Sequence, residues 1–174
     1  MKIIEGLKKI KDLQRKAEDI RKKIATYCAS LDSEVPEYGT VEQQTKQVSG
    51  WLQSHSDILK EIEGLRVAIQ RTNLLTEVPI EIVDGKFVTK TIAAWIHRRR
   101  DLAKLDGLAW QGLTNRNLKP QNYKADGTEE IKIANVRKYY SQQERDFKVE
   151  EYASEPSRID STLEITNATT DLII

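Results

Sequence analysis

The sequence predicts a mainly α-helical fold, a bundle of long antiparallel helices with one or two short β-hairpins between helices. Two observations predict it. Apolar residues recur every seven positions in two long segments, and the period changes to two around an Asp-Gly pair. The chain has 174 residues, about the length of one domain, so we expect a single helical-bundle domain over residues 1–174.

The first helix is predicted from about Lys2 to Ser30, with charged residues between the apolar positions. Two repeat positions carry Gln14 and Arg21, so the predicted seam is imperfect. This favours a packed bundle over an extended two-stranded coiled coil. The expected stripe is Ile3, Leu7, Ile10, Ala17 and Ile24.

The second helix is predicted from Thr40, which with Gln43 forms a capping-box signal, to about Thr72. A loop containing Pro36 and Gly39 precedes it, so the first two helices should form an antiparallel hairpin. The expected stripe is Val41, Val48, Leu52, His55, Leu59, Ile62 and Ile69.

The next segments predict hairpins and two further helices. Alternation over residues 78–90 around Asp84-Gly85 predicts a β-hairpin, and residues 115–133 predict a second irregular or hairpin region. The last helix should run over about 136–167, and Pro156 should break or kink it. The helix between the hairpins, over about 91–113, has Ile92, Trp95, Ile96, Leu102, Leu105 and Ala109 as its expected buried stripe.

The charge distribution gives little support for a nucleic-acid polymer as partner, because the formal net charge is +1. The charge is uneven, however. Residues 1–24 hold nine basic and four acidic side chains, and residues 126–174 hold six basic and eleven acidic side chains.

Cys28 is the only cysteine and no run of 18 apolar residues occurs, so we expect a cytoplasmic protein with no membrane contact.

The most distinctive polar run is His97 to Arg100. Consecutive helical residues spread around the helix, so at least one arginine should face a neighbour. We take Arg98 and Arg99 as candidates for binding an anion. The alternative is that Asp101, Asp106 or the acidic C-terminal region holds them.

A second polar group closes the second helix, at Arg71, Thr72 and Asn73, beside the apolar Leu74. With Asn167 near the end of the last helix, it could converge on an anion, or it could only cap helix ends. Histidines, the cysteine and carboxylates lack the spacing of metal sites or catalytic centres. We therefore expect no enzymatic activity, no metal and no cofactor.

Several of these motifs resemble the septicolysin-like family, small helical proteins of bacteria and their phages. The matching segments are IQRTN at 69–73, TIAA at 91–94 leading to Arg100-Asp101, IDSTLEITN at 159–167 and TTDL at 169–172. The chain departs from the pattern at Ala168, where a tryptophan is expected, and at Pro156. The resemblance implies a helical homo-oligomer with the Arg-Thr-Asn turn as its most recognisable polar feature.

Two functions compete on this basis. The first is a non-enzymatic oligomer that binds a small anionic ligand such as a nucleotide or cyclic nucleotide; in a phage it would be a sponge that sequesters a host immune signal. Its candidate ligand-binding residues are Arg71, Thr72, Asn73, Arg98, Arg99 and Asn167. The second is a structural or protein-interaction helical module without a small-molecule ligand.

Overall fold

The computed structural model describes residues 1–124, 126–127 and 129–173. The predicted fold class is confirmed, since the chain is mainly helical with two antiparallel strand pairs. No helix in the described part of the chain is long and apolar enough to span a membrane. The elements are α1 Ile3–Tyr27, α2 Val41–Leu75, β1 Glu77–Val83, β2 Lys86–Thr91, α3 Ile92–His97, a π turn Arg98–Leu102, α4 Ala103–Gln111, β3 Gln121–Lys124, β4 Ile131–Ala134 and α5 Gln142–Thr169.

The chain groups into two compact units. Unit 1 holds Met1–Thr76, Thr91–Ala93 and Leu163–Ile174, and unit 2 holds Glu77–Lys90 and Ala94–Thr162. The main chain passes between the units more than once. The expectation of one domain over residues 1–174 stays a prediction.

Unit 1 is built on the predicted antiparallel hairpin of α1 and α2. Lys9 near the start of α1 pairs with Glu61 late in α2 at 2.6 Å, and Gln44 at the start of α2 donates to the Tyr27 carbonyl at 2.8 Å. The capping box of Thr40 and Gln43 is present as predicted. These contacts fix both the direction and the register of the pair.

The apolar seam of α1 corrects the predicted stripe. Leu7 is 42% exposed, and Gln14 and Arg21 also face outward. The row of inward positions predicted at Leu7, Gln14 and Arg21 lies one residue earlier, at Gly6, Leu13 and Ile20. This row contains no polar residue, so the prediction of an imperfect seam was wrong. At Gly6 a Cβ would lie 3.0 Å from Leu172 Cδ1, so a larger residue would require the Leu172 side chain to shift. The inward positions are Ile3, Gly6, Ile10, Leu13, Ala17, Ile20, Ile24 and Tyr27.

The seam of α2 shows the same kind of shift. Val41, Leu52 and Leu59 were expected inside and are 71%, 55% and 48% exposed. The heptad repeat is real, but a repeat of apolar residues on two neighbouring stripes cannot by itself identify the inner one. The inward positions are Gln44, Val48, Trp51, His55, Ile58, Ile62, Leu65, Ile69 and Thr72.

Unit 2 begins with the predicted hairpin of β1 and β2, whose turn places Gly85 at a φ of +80°. Trp95 of α3 is fully buried, and its indole Nε1 donates to the Val78 carbonyl of β1 at 2.9 Å. This contact joins the hairpin to the helix that follows it.

The π turn corrects the predicted stripe of the helix between the hairpins. Its wider turn adds one residue, marked by the Ala103 N–H donating to the Arg98 carbonyl five residues earlier. The buried face therefore moves on by one position, to Ala103, Gly107 and the half-buried Trp110. The expected core residues Leu102 and Leu105 are 45% and 57% exposed, and Ala109 is exposed as well.

The second hairpin and the last helix complete the chain. β3 and β4 pair antiparallel with Tyr123 opposite Lys132, and Ile131 and Ile133 lie on the predicted returning strand. The prediction that the last helix begins near residue 136 was wrong, because α5 starts at Gln142. Pro156 does not break the helix, which is continuous to Thr169, and the alternative that it kinks the helix stays a prediction. A proline removes one N–H from the ladder, and the other bonds of a long helix can hold the segment together.

Candidate functional site

Thr72 is part of the structural anchor of unit 1. Its side chain is fully buried, and its hydroxyl donates to the Ala68 carbonyl at 2.8 Å. The same oxygen accepts the Ile173 N–H at 2.9 Å. Both functions of the hydroxyl are used, so Thr72 holds the C-terminal segment against α2 instead of facing solvent.

The two ends of the described chain pair beside this anchor. The Ile3 N–H donates to the Thr170 carbonyl at 3.0 Å and the Leu172 N–H to the Met1 carbonyl at 2.8 Å. Lys2 Nζ donates to Asp171 at 2.6 Å, and this hydrogen bond lowers the pKa of the Asp171 carboxyl. The anchor is therefore a network of backbone and side-chain contacts.

The other predicted residues of unit 1 keep free polar groups. Arg71 is exposed, and no carboxylate among the described residues lies within ion-pair distance of it. Asn73 is half-buried, and its Oδ1 is a buried atom with no hydrogen-bond partner in the described structure. Asn167 is half-buried in the last turn of α5. Among the predicted residues of this unit, Arg71 therefore has a guanidinium without an ion-pair partner in the described structure, and Asn73 has an amide oxygen without a hydrogen-bond donor.

Arg98 occupies a buried ion-pair centre in unit 2. Its Nε and Nη2 donate to the two oxygens of Glu155 at 2.6 Å and 2.9 Å, and its Nη1 donates to Asp106. The Glu155 side chain is 1% exposed and that of Arg98 is 17% exposed. The hydrogen bond from Arg98 to Glu155 is the main cause of the raised pKa of the guanidinium. The ring of Tyr152 lies 5.3 Å from the same guanidinium.

Arg99 and Lys148 are also paired with carboxylates. Arg99 donates to Asp160, and Lys148 donates to Glu151 at 2.6 Å, which raises the pKa of Lys148. The geometry therefore agrees with the alternative interpretation of the arginine run, in which carboxylates of the chain hold the arginines. The partners are Asp106 and residues of the acidic C-terminal region. An anion at Arg98 would have to displace a buried bidentate carboxylate.

Sequence reasoning missed Glu155 and Tyr152, which contact Arg98, and Glu151, which pairs with Lys148. All three lie on α5, and Glu151 and Glu155 are one helical turn apart. The available signal was the acidic excess of residues 126–174, which identifies a source of partners without naming them. In the described part of the chain no group of three or more His, Cys, Asp or Glu side chains forms a metal-binding cluster.

The described pockets differ in character. One is an open groove of about 370 Å³ between α4 and α5, lined by small and apolar residues, by Tyr152 and by the polar side chains of Lys104 and Gln111. Another, of about 350 Å³, is lined by residues 112–116, 118 and 136–140. Both volumes are in the range of small-ligand pockets.

Comparison with known proteins bears on the fold. No protein-family model and no curated protein matches this chain, so the resemblance to the septicolysin-like family stays a prediction. Among solved structures, the chain is similar to the crystal structure of a functionally unknown conserved protein from Corynebacterium diphtheriae. The two are 19% identical, the alignment covers 99% of each chain, and the TM-score is 0.54. At this identity the likeness concerns the fold alone.

Proposed function

We propose that this protein is a non-enzymatic interaction module that works as a homo-oligomer. The observation that carries the proposal is a stripe of exposed leucines, Leu102, Leu105 and Leu108, which are 45%, 57% and 50% exposed. They succeed each other at three-residue spacing, so they lie on neighbouring turns of one helical face. Apolar groups gathered on one face are a common basis of protein contacts.

The π turn is what places this stripe outside. A regular α-helix through residues 98–102 would carry Leu102 and Leu105 toward the inner face, and the added residue turns them outward. A second copy of the chain is the partner that the charges favour. Residues 1–24 carry an excess of five basic groups and residues 126–174 an excess of five acidic groups. Some of the acidic groups are paired within the chain, but the exposed Lys8 and Lys11 of α1 and the exposed Glu150 and Glu164 of α5 have no ion-pair partner among the described residues, so two copies can present these charges to each other.

We expect a Leu105→Lys substitution to dissociate the oligomer, because it places a charge in the middle of the apolar stripe. Sedimentation velocity at micromolar concentration should give the wild type a mass that is a multiple of 20.0 kDa, and the variant a mass close to 20.0 kDa. Leu31→Lys is the matched control, since Leu31 is a loop residue that is 68% exposed, and it should leave the oligomer intact.

Two outcomes would contradict the proposal. A wild type that sediments as a monomer would remove the oligomer, and a Leu105→Lys variant with the wild-type mass would remove this stripe from the interface. Circular dichroism of both variants checks that the helices are retained.

Binding of a small anionic ligand is the second candidate function, with the nucleotide sponge as its most specific form. The observation that favours it is Arg71, a guanidinium without an ion-pair partner among the described residues, next but one to the unpartnered amide oxygen of Asn73. Arg98 and Arg99 contribute less to this proposal because carboxylates already neutralise them.

We expect Arg71→Ala to weaken binding of a nucleotide or cyclic dinucleotide by about tenfold, the value of one charge-assisted hydrogen bond, with no loss of thermal stability. Calorimetric titration of a nucleotide panel measures the affinity, and Arg66→Ala on the same helix is the control for charge. Absence of binding across the panel returns Arg71 to a surface role, and release of cleaved nucleotide would show that the protein is an enzyme.

A further inference from the structure

A third surface, which neither proposed function uses, lies in unit 2 where α4 ends and the β3–β4 hairpin begins. We call the pocket lined by residues 112–116, 118 and 136–140 the basic cleft; its volume is about 350 Å³. Arg116, Arg137 and Lys138 line it, together with Tyr139 and Tyr140. Its lining contains no acidic residue.

The charge around the cleft is of one sign over two whole segments. Residues 112–124 contain three basic and no acidic residues, and so do residues 131–143. Between these two segments the acidic residues are confined to the connection between the strands, at the far end of the hairpin. At the edge of the cleft, Lys138 donates to Gln142 at 2.9 Å, and Gln142 donates to Asp146 at 3.0 Å. Among the described residues Arg116 and Arg137 have no carboxylate at ion-pair distance. The formal net charge of +1 averages this surface with the acidic α5 and so conceals it.

Exposed tyrosines accompany these cations. Tyr139 is 90% exposed, which leaves both faces of its ring open to a stacking partner. Tyr140 is half-buried and lies beside Lys138, whose ammonium is 5.7 Å from the ring centre. Tyr123 is 49% exposed and lies directly opposite Lys132 in the hairpin, so the two share one face of the ribbon.

The hairpin extends the cleft in one direction. Gln121 and Ala134 are paired at the open end of the hairpin, where β3 begins and β4 ends. Only a few residues of chain separate them from the cleft residues Leu118 and Val136. Every residue of β3 and β4 is exposed. The two strands carry Tyr123, Lys124 and Lys132, so the cationic and aromatic surface of the cleft continues along the ribbon. This surface is longer than a single nucleotide.

The backbone holds one of these arginines in an uncommon conformation. Arg116 and Asn117 have φ values of 55° and 56°, in the left-handed region that non-glycine residues rarely adopt. The turn is maintained by the Arg116 N–H donating to Thr114 Oγ1 at 3.1 Å and the Asn117 N–H donating to Asn115 Oδ1 at 3.1 Å. A glycine would adopt this conformation without strain, so the arginine is kept at a cost to the fold.

From these observations we infer that the basic cleft and the β3–β4 ribbon bind single-stranded nucleic acid. Unpaired cations would contact successive phosphates, and the exposed tyrosine rings would stack on unpaired bases. Aromatic platforms within a cationic groove are the usual means of binding single strands without sequence preference. A duplex keeps its bases stacked on each other and cannot use the tyrosines, so the surface favours single strands.

The test measures fluorescence anisotropy of a labelled oligothymidylate and a labelled oligouridylate, each of about ten nucleotides, with the 174-residue chain. This length is within the site sizes of single-strand binding proteins. We expect Arg116→Gly to weaken binding about tenfold, and Tyr139→Ala to do the same through lost stacking. With three phosphate contacts, the slope of log affinity against log salt should be about −2.

Two matched controls separate this site from general effects. Asn117→Gly makes the same backbone change one residue later and keeps every cation, and Lys22→Gln/Lys23→Gln removes two exposed cations from α1. Both should bind within about twofold of the wild type if the contacts are local. Arg116→Gly should melt at or above the wild-type temperature, which distinguishes lost contact from lost fold.

The inference is overturned if Arg116→Gly or Tyr139→Ala binds like the wild type, or if the α1 double variant weakens binding as much as they do. It is also overturned if inorganic polyphosphate or thymidine monophosphate, at equal phosphate concentration, competes as well as the oligonucleotide. The first competitor would indicate a simple polyanion surface and the second a small-nucleotide pocket. None of these results depends on the oligomeric state, so the proposed function is tested separately.

Discussion

Replacing Arg98 by Met is expected to lower the free energy of unfolding by about 3–5 kcal/mol, the usual cost of leaving one member of a buried ion pair alone. Glu155 is 1% exposed and receives two hydrogen bonds from the Arg98 guanidinium. Without that partner its carboxylate would be buried with an uncompensated charge or would have to take up a proton. Urea denaturation followed by circular dichroism measures the loss.

A double-mutant cycle shows whether the Arg98–Glu155 pair itself stabilises the fold, or whether stability is lost only when one charge is left buried without its partner. Arg98→Met combined with Glu155→Leu should recover most of the loss, because an apolar pair avoids the desolvation cost of both charges. Arg99→Met is the control, since Arg99 and Asp160 are 44% and 57% exposed, and it should cost at most about 1 kcal/mol. If Arg98→Met and Arg99→Met lower the free energy of unfolding equally, the Arg98–Glu155 pair contributes no more to stability than an exposed ion pair, and the prediction is wrong.

The sequence was sufficient to predict the helices and hairpins but not the faces that they bury. The repeats in α1 and α2 identified long amphipathic helices, and the short loop identified their antiparallel pairing. Leu7 and Leu52 fit the seven-residue spacing as well as Leu13 and Trp51 do, and all are apolar. Which stripe becomes the core depends on the partner helix, and a period alone does not contain that information.

The π turn is the clearest case of a feature that lies outside sequence patterns. Four of its five residues, three arginines and Leu102, are good helix formers, so the composition of the segment does not reveal the extra residue in the turn. It changed the outcome for Leu102 and Leu105, which were expected in the core and are exposed. The same displacement produces the leucine stripe on which the proposed oligomer depends.

The polar residues show a similar division. The run from His97 to Arg100 predicted that at least one arginine would meet a neighbour, because consecutive residues cannot share one solvent-facing side. The partner Glu155 is 57 positions away in sequence, so its identity required the fold. The basic cleft was hidden for a different reason, since three acidic residues separate its two acid-free segments and reduce the net charge of residues 112–143 from +6 to +3.

Replacing Trp95 by Ala is the second change for which we expect a large effect, about 3–5 kcal/mol of unfolding free energy. The indole is fully buried, and its Nε1 donates to the Val78 carbonyl at 2.9 Å. The variant removes the largest fully buried side chain of the described chain and leaves that carbonyl without its donor. Trp95→Phe keeps most of the ring, so its smaller loss measures the hydrogen bond and the missing volume.

Tyr139→Ala is the matched control, because it truncates an aromatic ring that is 90% exposed and should change stability by no more than about 0.5 kcal/mol. The two variants therefore separate the two uses of aromatic residues in unit 2. Trp95→Ala should lower the denaturation midpoint, while Tyr139→Ala should lower affinity for single strands at unchanged stability. If Trp95→Ala left stability intact and abolished binding of the labelled single strands, Trp95 would be a stacking residue and its assignment to the core would be wrong.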